Sequence, residues 1–316
     1  MSKIAFLFPG QGSQRVGMGS ELKSSHPELF DRFLNAADTA AGLPITQYCL
    51  EGPLETLTQT QVAQPALFAL SLALTEYARQ IGLRPDYVAG HSLGEYTAAV
   101  VSGALPVSDG LRLVCLRGQL MAAAQAQRPG TMAAILGLTA ERLTELCDRA
   151  AAAGLVELAN VNTPNQIVVS GEKAGVERLS QLALEAGAQR VVPLQVGAAF
   201  HSALMKPVQQ RLARTMAGLS WNDARAPLAA NCSGALVQRG AEIHQALIAQ
   251  IASPVQWVAC IQTLVQAGCH TLLELGCGRV LSGLVRQIDA NVEIAAADSP
   301  NKIQKFVSAH PEFERP

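Results

Sequence analysis

The stretch that most constrains this chain is Gly90-His91-Ser92-Leu93-Gly94-Glu95-Tyr96. The apolar lead-in Tyr87-Val88-Ala89 reads as the end of a buried strand, and Thr97-Ala98-Ala99-Val100-Val101 reads as a helix. Gly-x-Ser-x-Gly between strand and helix fits a nucleophile elbow, a tight turn that pushes one serine side chain out of the sheet. Such a turn strains the backbone, and side chains at residues 90 and 94 would crowd the neighbouring strand and helix. The serine also sits at a helix N-terminus, where free N–H groups and the helix dipole favour a developing oxyanion. The bland alternative is a glycine-rich turn with a capping serine. Strand before and helix after favour the elbow.

A chain of 316 residues is long for one core, so the expectation is one large domain with an insertion, or two domains. With a net charge of −1 there is no basic excess that would suit nucleic acid. No polybasic or lipidation signal and no apolar run of membrane-spanning length point to a membrane. The apolar N-terminal run from Ile4 to Phe8 stops at Pro9-Gly10, too short for the core of a signal peptide. The seven cysteines are odd in number and show no Cys-x-x-Cys spacing, so they read as free thiols of a reducing cytoplasm and not as a disulfide framework or zinc site. Cys269-His270 reads as buried packing. The expected location is cytoplasmic.

Lys3–Phe8 reads as a first buried strand with the loop Pro9-Gly10-Gln11-Gly12-Ser13-Gln14 at its carboxyl end, where open α/β sheets bind ligands. Helical spacing covers 28–41, 60–78 and 109–124, and the second of these is apolar on more than one face. After Arg128-Pro129-Gly130 the register changes. Strand 131–137, helix 140–153, strands 155–162 and 166–171, helix 173–186 and strand 189–194 follow, a βαββαβ order of ferredoxin-like type. The fold class expected is therefore α/β, with a core made of residues 1–126 and 198–316. Residues 127–197 are expected to form the small inserted subdomain, with the cleft between the two as the default site. Beyond it, 203–216 reads as a helix and 228–231 and 271–275 as strands. Helices are expected over 243–252 and 255–265, broken at Ser253-Pro254, and 311–316 as a loose tail.

A serine hydroxyl is a poor nucleophile without a base, which draws attention to His201 at the junction Phe200-His201-Ser202. His26, His244 and His310 compete poorly: one precedes a proline near a helix start, one lies on a polar helical face, and one is in the tail. His91 adjoins the nucleophile, and adjacency points its side chain elsewhere. Arg117 lies in a mostly apolar helix. Either its guanidinium reaches the surface along its aliphatic stem, or it is a buried fork that grips a substrate carboxylate. No acidic third partner for a triad is evident, since neither Asp109 nor Asp148 sits at a strand end.

These motifs, with Arg117-Gly118 and Ser253-Pro254-Val255-Gln256-Trp257, resemble the malonyl-CoA:acyl carrier protein transacylase family over essentially the whole chain. The resemblance implies a hydrolase-like α/β core with a parallel sheet, and a ping-pong transfer of malonyl from CoA to the phosphopantetheine thiol of an acyl carrier protein, as in fatty acid biosynthesis. In that scheme His201 deprotonates Ser92, and a malonyl-serine forms and is then attacked by the carrier thiol. The backbone N–H groups of Gln11 and Leu93 match the oxyanion hole. Gln250 matches the position whose backbone carbonyl orients the histidine, a role indifferent to the glutamine side chain. Arg117 matches the malonyl-carboxylate partner, and Phe200 the bulky residue associated with malonyl over methylmalonyl selection. His91, Met121, Met132 and Asn162 match positions in or beside the acyl pocket, and Gln166 and Arg190 positions near the CoA chain. No cofactor or metal is implied, because the CoA thioester and phosphopantetheine are substrate groups. Gly197-Ala198-Ala199 departs from many bacterial members, and Ala199-Phe200-His201-Ser202 also resembles discrete acyltransferases that load modular polyketide synthases in trans. Two alternatives stand beside the main reading: such a trans-acting malonyl acyltransferase, and an acyl carrier protein acyl hydrolase.

Overall fold

The computed structural model describes residues 2–315. Its strands, numbered in chain order, are β1 (Lys3–Phe8), β2 (Tyr87–Gly90), β3 (Thr131–Leu136), β4 (Val156–Thr163), β5 (Gln166–Gly171), β6 (Arg190–Pro193), β7 (Leu228–Ala229), β8 (Leu236–Val237), β9 (Cys269–Leu275) and β10 (Glu293–Ala297). Six of them form one sheet in the order β10-β9-β1-β2-β7-β8, parallel throughout except for the short β7–β8 pair. β1 is central and buried on both faces. Ile4, Phe6 and Phe8 point into one apolar core, and Ala5 and Leu7 into the core on the other side. That explains its unbroken apolar run, as expected of a strand covered on both faces.

The remaining four strands make a separate antiparallel sheet in the order β4-β5-β3-β6, entered and left in the sequence strand, helix, strand, strand, helix, strand. Helices Ala140–Ala150 and Lys173–Glu185 cover one of its faces through Ala133, Ile135, Val169 and their neighbours. Met132, Ala134, Ala159 and Val168 on the other face join the main core. The chain crosses between the two sheets at adjacent points, with Gly130 N–H donating to the Gly197 carbonyl at 3.1 Å. Val255 ties them a second time. Its N–H donates to Ala159 O at 2.8 Å, and its carbonyl accepts from Val161 N at 2.8 Å. The Ser253–Trp257 motif is therefore a splice between the sheets, and its helix starts only at Trp257.

Elements outside the sequence reading are the short helices Ser20–Ser25, Ile45–Glu51 and Leu54–Thr58, β8, β10 and helix Pro300–Ala309. The predicted strand 228–231 is two residues long, which frees Asn231 to turn toward the elbow. Cys269 is buried as expected, whereas His270 is exposed. His244 is not on a polar face, for it stacks on Trp221 at 5.1 Å.

The C-terminus also corrects the sequence reading. Residues 311–315 are not a loose tail: Phe313 is 1% exposed, Glu314 bridges Leu83, and Arg315 grips the Asp86 carboxylate with two bonds of 2.8 and 2.9 Å. Pro316 lies outside the described residues. Phe313→Ala is expected to cost about 3 kcal/mol of unfolding free energy, measurable as a lower urea midpoint. An unchanged midpoint would return the segment to a dangling end.

No helix of the described residues is long and apolar enough to cross a membrane.

Candidate active site

Ser92 occupies the turn between β2 and helix Leu93–Val101 with φ 52° and ψ −105°, left-handed backbone on a non-glycine residue. Strain of this kind costs about 1–3 kcal/mol and persists only where its surroundings impose it. The surroundings here are tight. A Cβ on Gly90 would run into the backbone of Gly94, and one on Gly94 into the Phe8 carbonyl at the end of β1. Gly94→Ala is therefore expected to destabilise the fold by about 3 kcal/mol or more, read from chemical denaturation. Retention of wild-type stability would mean that the elbow is looser than its geometry. Asn231 clasps the turn from below. Its Oδ1 accepts from Ser92 N at 2.8 Å, and its Nδ2 donates to Gly90 O at 2.8 Å.

His201, 109 residues away in sequence, brings Nε2 to 2.8 Å from Ser92 Oγ. Its Nδ1 lies 2.9 Å from the Gln250 backbone carbonyl, which can only accept, so the proton sits on Nδ1 and Nε2 faces the serine as a free acceptor. Burial and then the Arg117 cation push the imidazole pKa down to about 3. His201 is thus neutral at ordinary pH and able to take a proton. It too has a left-handed backbone, φ 58°. The Ser202 hydroxyl secures that turn by donating to Ala199 O and accepting from Leu204 N.

Arg117 resolves into the buried of its two readings, at 1% exposure. Its guanidinium donates to Ser92 Oγ at 3.0 Å, Gln64 Oε1 at 2.9 Å and Gln250 Oε1 at 3.2 Å, and it lies 5.3 Å from the centre of the Tyr96 ring. All three acceptors are neutral. Among the described residues no ion pair includes it.

Ser92, His201 and Arg117 open onto one small cavity of about 130 Å³, also lined by Gln11, His91, Met121, Met132, Asn160, Leu194 and Phe200. Gln11, Val196 and Phe200 continue from it into a groove of about 600 Å³ that reaches Gln59, Gln125 and Gly130 at the seam between the two sheets. Leu93 is the first residue of its helix, so the helix's own ladder does not use its N–H. The Gln11 loop lies beside it, since His91 N–H donates to Phe8 O at 3.0 Å.

The remaining expectations fare differently. The His91 ring does line the cavity, contrary to the view that adjacency turns it away. Its Nε2 pairs with Asn162 Oδ1 at 2.8 Å, and the ring packs edge-on against buried Trp257. Asn162 reaches the site only through His91, and Asn160 lines the cavity in its place. Gln166 is one bond further out, accepting from Asn162 Nδ2 at 3.3 Å. Arg190 is exposed opposite Leu136, about 13 Å along β3 from Met132, and does not enter the cavity. The Gln250 side chain is not idle. Besides accepting from Arg117, its Nε2 lies 2.6 Å from both Ser92 O and Glu95 Oε2. The helical position of Gln250, beside a strained serine, gave no sign of this in the sequence. Glu95, Gln64 and Asn231 likewise lie outside the sequence expectations, although a glutamate and a glutamine inside largely apolar helices signal burial and pairing.

Residues 5–299 match the acyl transferase domain family. The malonyl CoA-acyl carrier protein transacylase of Bacillus subtilis is 44% identical over 96% of this chain and 96% of its own. The chain belongs to this transacylase family. Solved structures agree with the assignment. The family member from Xanthomonas oryzae superposes with a TM-score of 0.93 at 40% identity, covering 98% of each chain. A malonyl-transacylase in complex with its type II polyketide acyl carrier protein gives 0.94 at 35% identity, over 98% of this chain and all (100%) of that one. The family's mixed architecture, a parallel sheet beside a separate antiparallel one, is the one described above.

Proposed function

We propose that this protein is an acyl carrier protein S-malonyltransferase, moving malonyl from CoA to the phosphopantetheine thiol of an acyl carrier protein in fatty acid biosynthesis. The observation that carries the reading is the convergence of Ser92 Oγ, His201 Nε2 and the Arg117 guanidinium within 3.0 Å on one cavity wall. Arg117 receives the malonyl carboxylate in a bidentate pair. That leaves the thioester carbonyl near Ser92, with the Gln11 and Leu93 N–H groups as oxyanion donors. His201 takes the serine proton as the serine–carbonyl bond forms and returns it to the CoA sulfur as the thioester bond breaks. In the second half it takes the proton of the carrier thiol, whose sulfur attacks the malonyl-serine, and gives that proton back to Ser92 Oγ as the ester bond breaks. The groove at the seam suits the pantetheine arm, and Phe200 at its junction with the cavity restricts α-branched acyl groups.

In this reading residues 127–197 form a ferredoxin-like insertion in a hydrolase-like core of residues 1–126 and 198–316. The paired crossing at Gly130 and Gly197 and the β4-β5-β3-β6 order support it. A cytoplasmic location and the absence of a dissociable cofactor follow from the substrates, which carry the thiol chemistry themselves. A hydrolase of uncharged acyl groups would gain nothing from a buried cation at the nucleophile. The polyketide client remains the second reading, favoured by the relative that is bound to a polyketide carrier protein. Steady-state transfer from malonyl-, acetyl- and methylmalonyl-CoA to fatty acid and polyketide carrier proteins tests both. Preference for malonyl with either carrier supports the transferase, and release of free acid at the same rate with or without carrier would remove it.

The depressed His201 pKa has a kinetic consequence. Acylation should continue below pH 6.5, where an unperturbed histidine would already be protonated. Arg117→Ala removes a positive neighbour, which favours the imidazolium and raises that pKa. The acid limb, followed with acetyl-CoA, should therefore move to higher pH. A limb that stays in place, or moves down, would contradict the assignment of His201 as the base.

A further inference from the structure

Glu95 is fully buried on the helix that begins at the elbow, three residues beyond Ser92. The transfer mechanism makes no use of it. Its two oxygens have different partners: Oε1 accepts from Asn231 N at 2.9 Å, and Oε2 accepts from Gln250 Nε2 at 2.6 Å. Asn231 holds the backbone of the nucleophile, while Gln250 holds Arg117. We propose that Glu95 is a positioning residue for recognition of the malonyl carboxylate: by accepting at both oxygens it fixes the Gln250 amide with its NH2 inward and its oxygen toward Arg117. The inference rests on the reading of Arg117 as the malonyl partner.

The direction of the hydrogen bonds carries the proposal. A guanidinium only donates, so the group facing it from residue 250 must be the amide oxygen. The amide nitrogen must then find acceptors on the other side, and it finds Ser92 O and Glu95 Oε2. An ionised carboxylate is the one side chain of this size that accepts at both ends. Burial raises the Glu95 pKa to about 7, opposed by the bonds from Asn231 and Gln250 and by the nearby Arg117 charge. Above that pH the carboxylate is ionised and supplies a buried negative charge one residue removed from an arginine that touches only neutral acceptors.

Glu95→Gln keeps the volume but leaves one acceptor for two donors. The Asn231 donor is backbone and cannot turn, so the new amide gives its oxygen there and presents NH2 to Gln250. Gln250 must then rotate, and its own NH2 meets the guanidinium. Loss of one hydrogen bond to a charged group is worth about tenfold or more in binding. The ratio of kcat/KM for malonyl-CoA to that for acetyl-CoA is expected to fall about tenfold, through a higher KM for malonyl-CoA. The acetyl-CoA rate should change far less, since acetyl has no carboxylate for the arginine to hold.

The experiment measures kcat/KM for malonyl-CoA and for acetyl-CoA, and hence their ratio, in wild type, Glu95→Gln, Gln250→Ala and the double variant. Gln250→Ala keeps the backbone carbonyl on His201 and should lower the ratio as Glu95→Gln does. In its background Glu95→Gln should lower the ratio no further, because the route has already been cut. Independent, multiplying effects would make Glu95 a structural residue only, and a full ratio in folded Glu95→Gln would overturn the proposal outright. Should Glu95→Gln not fold, a full ratio in Gln250→Ala overturns it equally. A wild type with no preference for malonyl overturns the functional reading and this inference together. A wild type with that preference, beside variants that keep it, overturns the inference alone.

Discussion

Ser92→Ala should leave a folded protein that no longer takes up malonyl from malonyl-CoA and whose transfer rate has fallen by about 10⁵-fold or more. The magnitude follows from nucleophile deletion in serine enzymes, where the oxyanion donors and binding contacts alone retain only a small part of the acceleration. The geometry makes this variant a clean one. The Ser92 hydroxyl contacts His201 and Arg117, both of which have other partners, while the backbone of residue 92 is held separately by Asn231 and Gln250. Removing one oxygen therefore removes the nucleophile without releasing the turn. Unchanged melting behaviour with lost transfer is the combined result expected. Substantial transfer in a folded Ser92→Ala protein would mean that another group carries the acyl chain, or that the carrier thiol attacks CoA-bound malonyl directly.

The second large effect belongs to Arg117. Its guanidinium is desolvated, which depresses its pKa, and is held by neutral acceptors alone. A malonyl carboxylate supplies the anion, whereas acetyl leaves the cation unpaired. Breaking a buried pair by removing one partner costs about 3–5 kcal/mol. Arg117→Ala should accordingly reduce the malonyl-to-acetyl ratio of kcat/KM by about 10²–10³-fold. Most of the change should lie in malonyl-CoA, because its carboxylate would then enter a buried site with no partner. Arg117→Lys should recover little, since a single ammonium cannot reproduce the planar fork toward Gln64, Gln250 and substrate at once. A variant that retains the wild-type ratio would remove the arginine from substrate selection.

Much of this site is legible in the sequence, for reasons particular to each residue. Ser92 announced itself because the elbow needs glycine on both sides, and those two positions are packed against β1 and the helix start. His201 emerged by pairing, as a serine without a base has little chemistry. Arg117 was ambiguous because sequence shows that a helix is apolar but not how far a guanidinium travels. The alternating βαββαβ order was visible in its helix and strand periods and its glycine stops. The contacts that hold the Ser92 turn and Arg117 from behind were not. Glu95, Asn231 and Gln250 come from helix Leu93–Val101, the segment just past β7 and helix Gly240–Gln250, and only the packing of the sheet brings them under one turn. The role of the Gln250 side chain depends on hydrogen-bond direction, which no spacing encodes. The C-terminus misled for a simpler reason. The last few residues of a domain are commonly loose unless tied down, and here one phenylalanine and one bidentate arginine are enough to dock them.

The most direct measurement is the intact mass of the wild-type protein on a rapid-mixing timescale, first with malonyl-CoA and then after addition of holo acyl carrier protein. A species heavier by one malonyl group is expected, mapped by peptide fragmentation to Ser92 and lost at the rate at which malonyl carrier protein forms. Formation of malonyl carrier protein with no such species at any time, or with the group on another residue, would contradict a route through malonyl-Ser92.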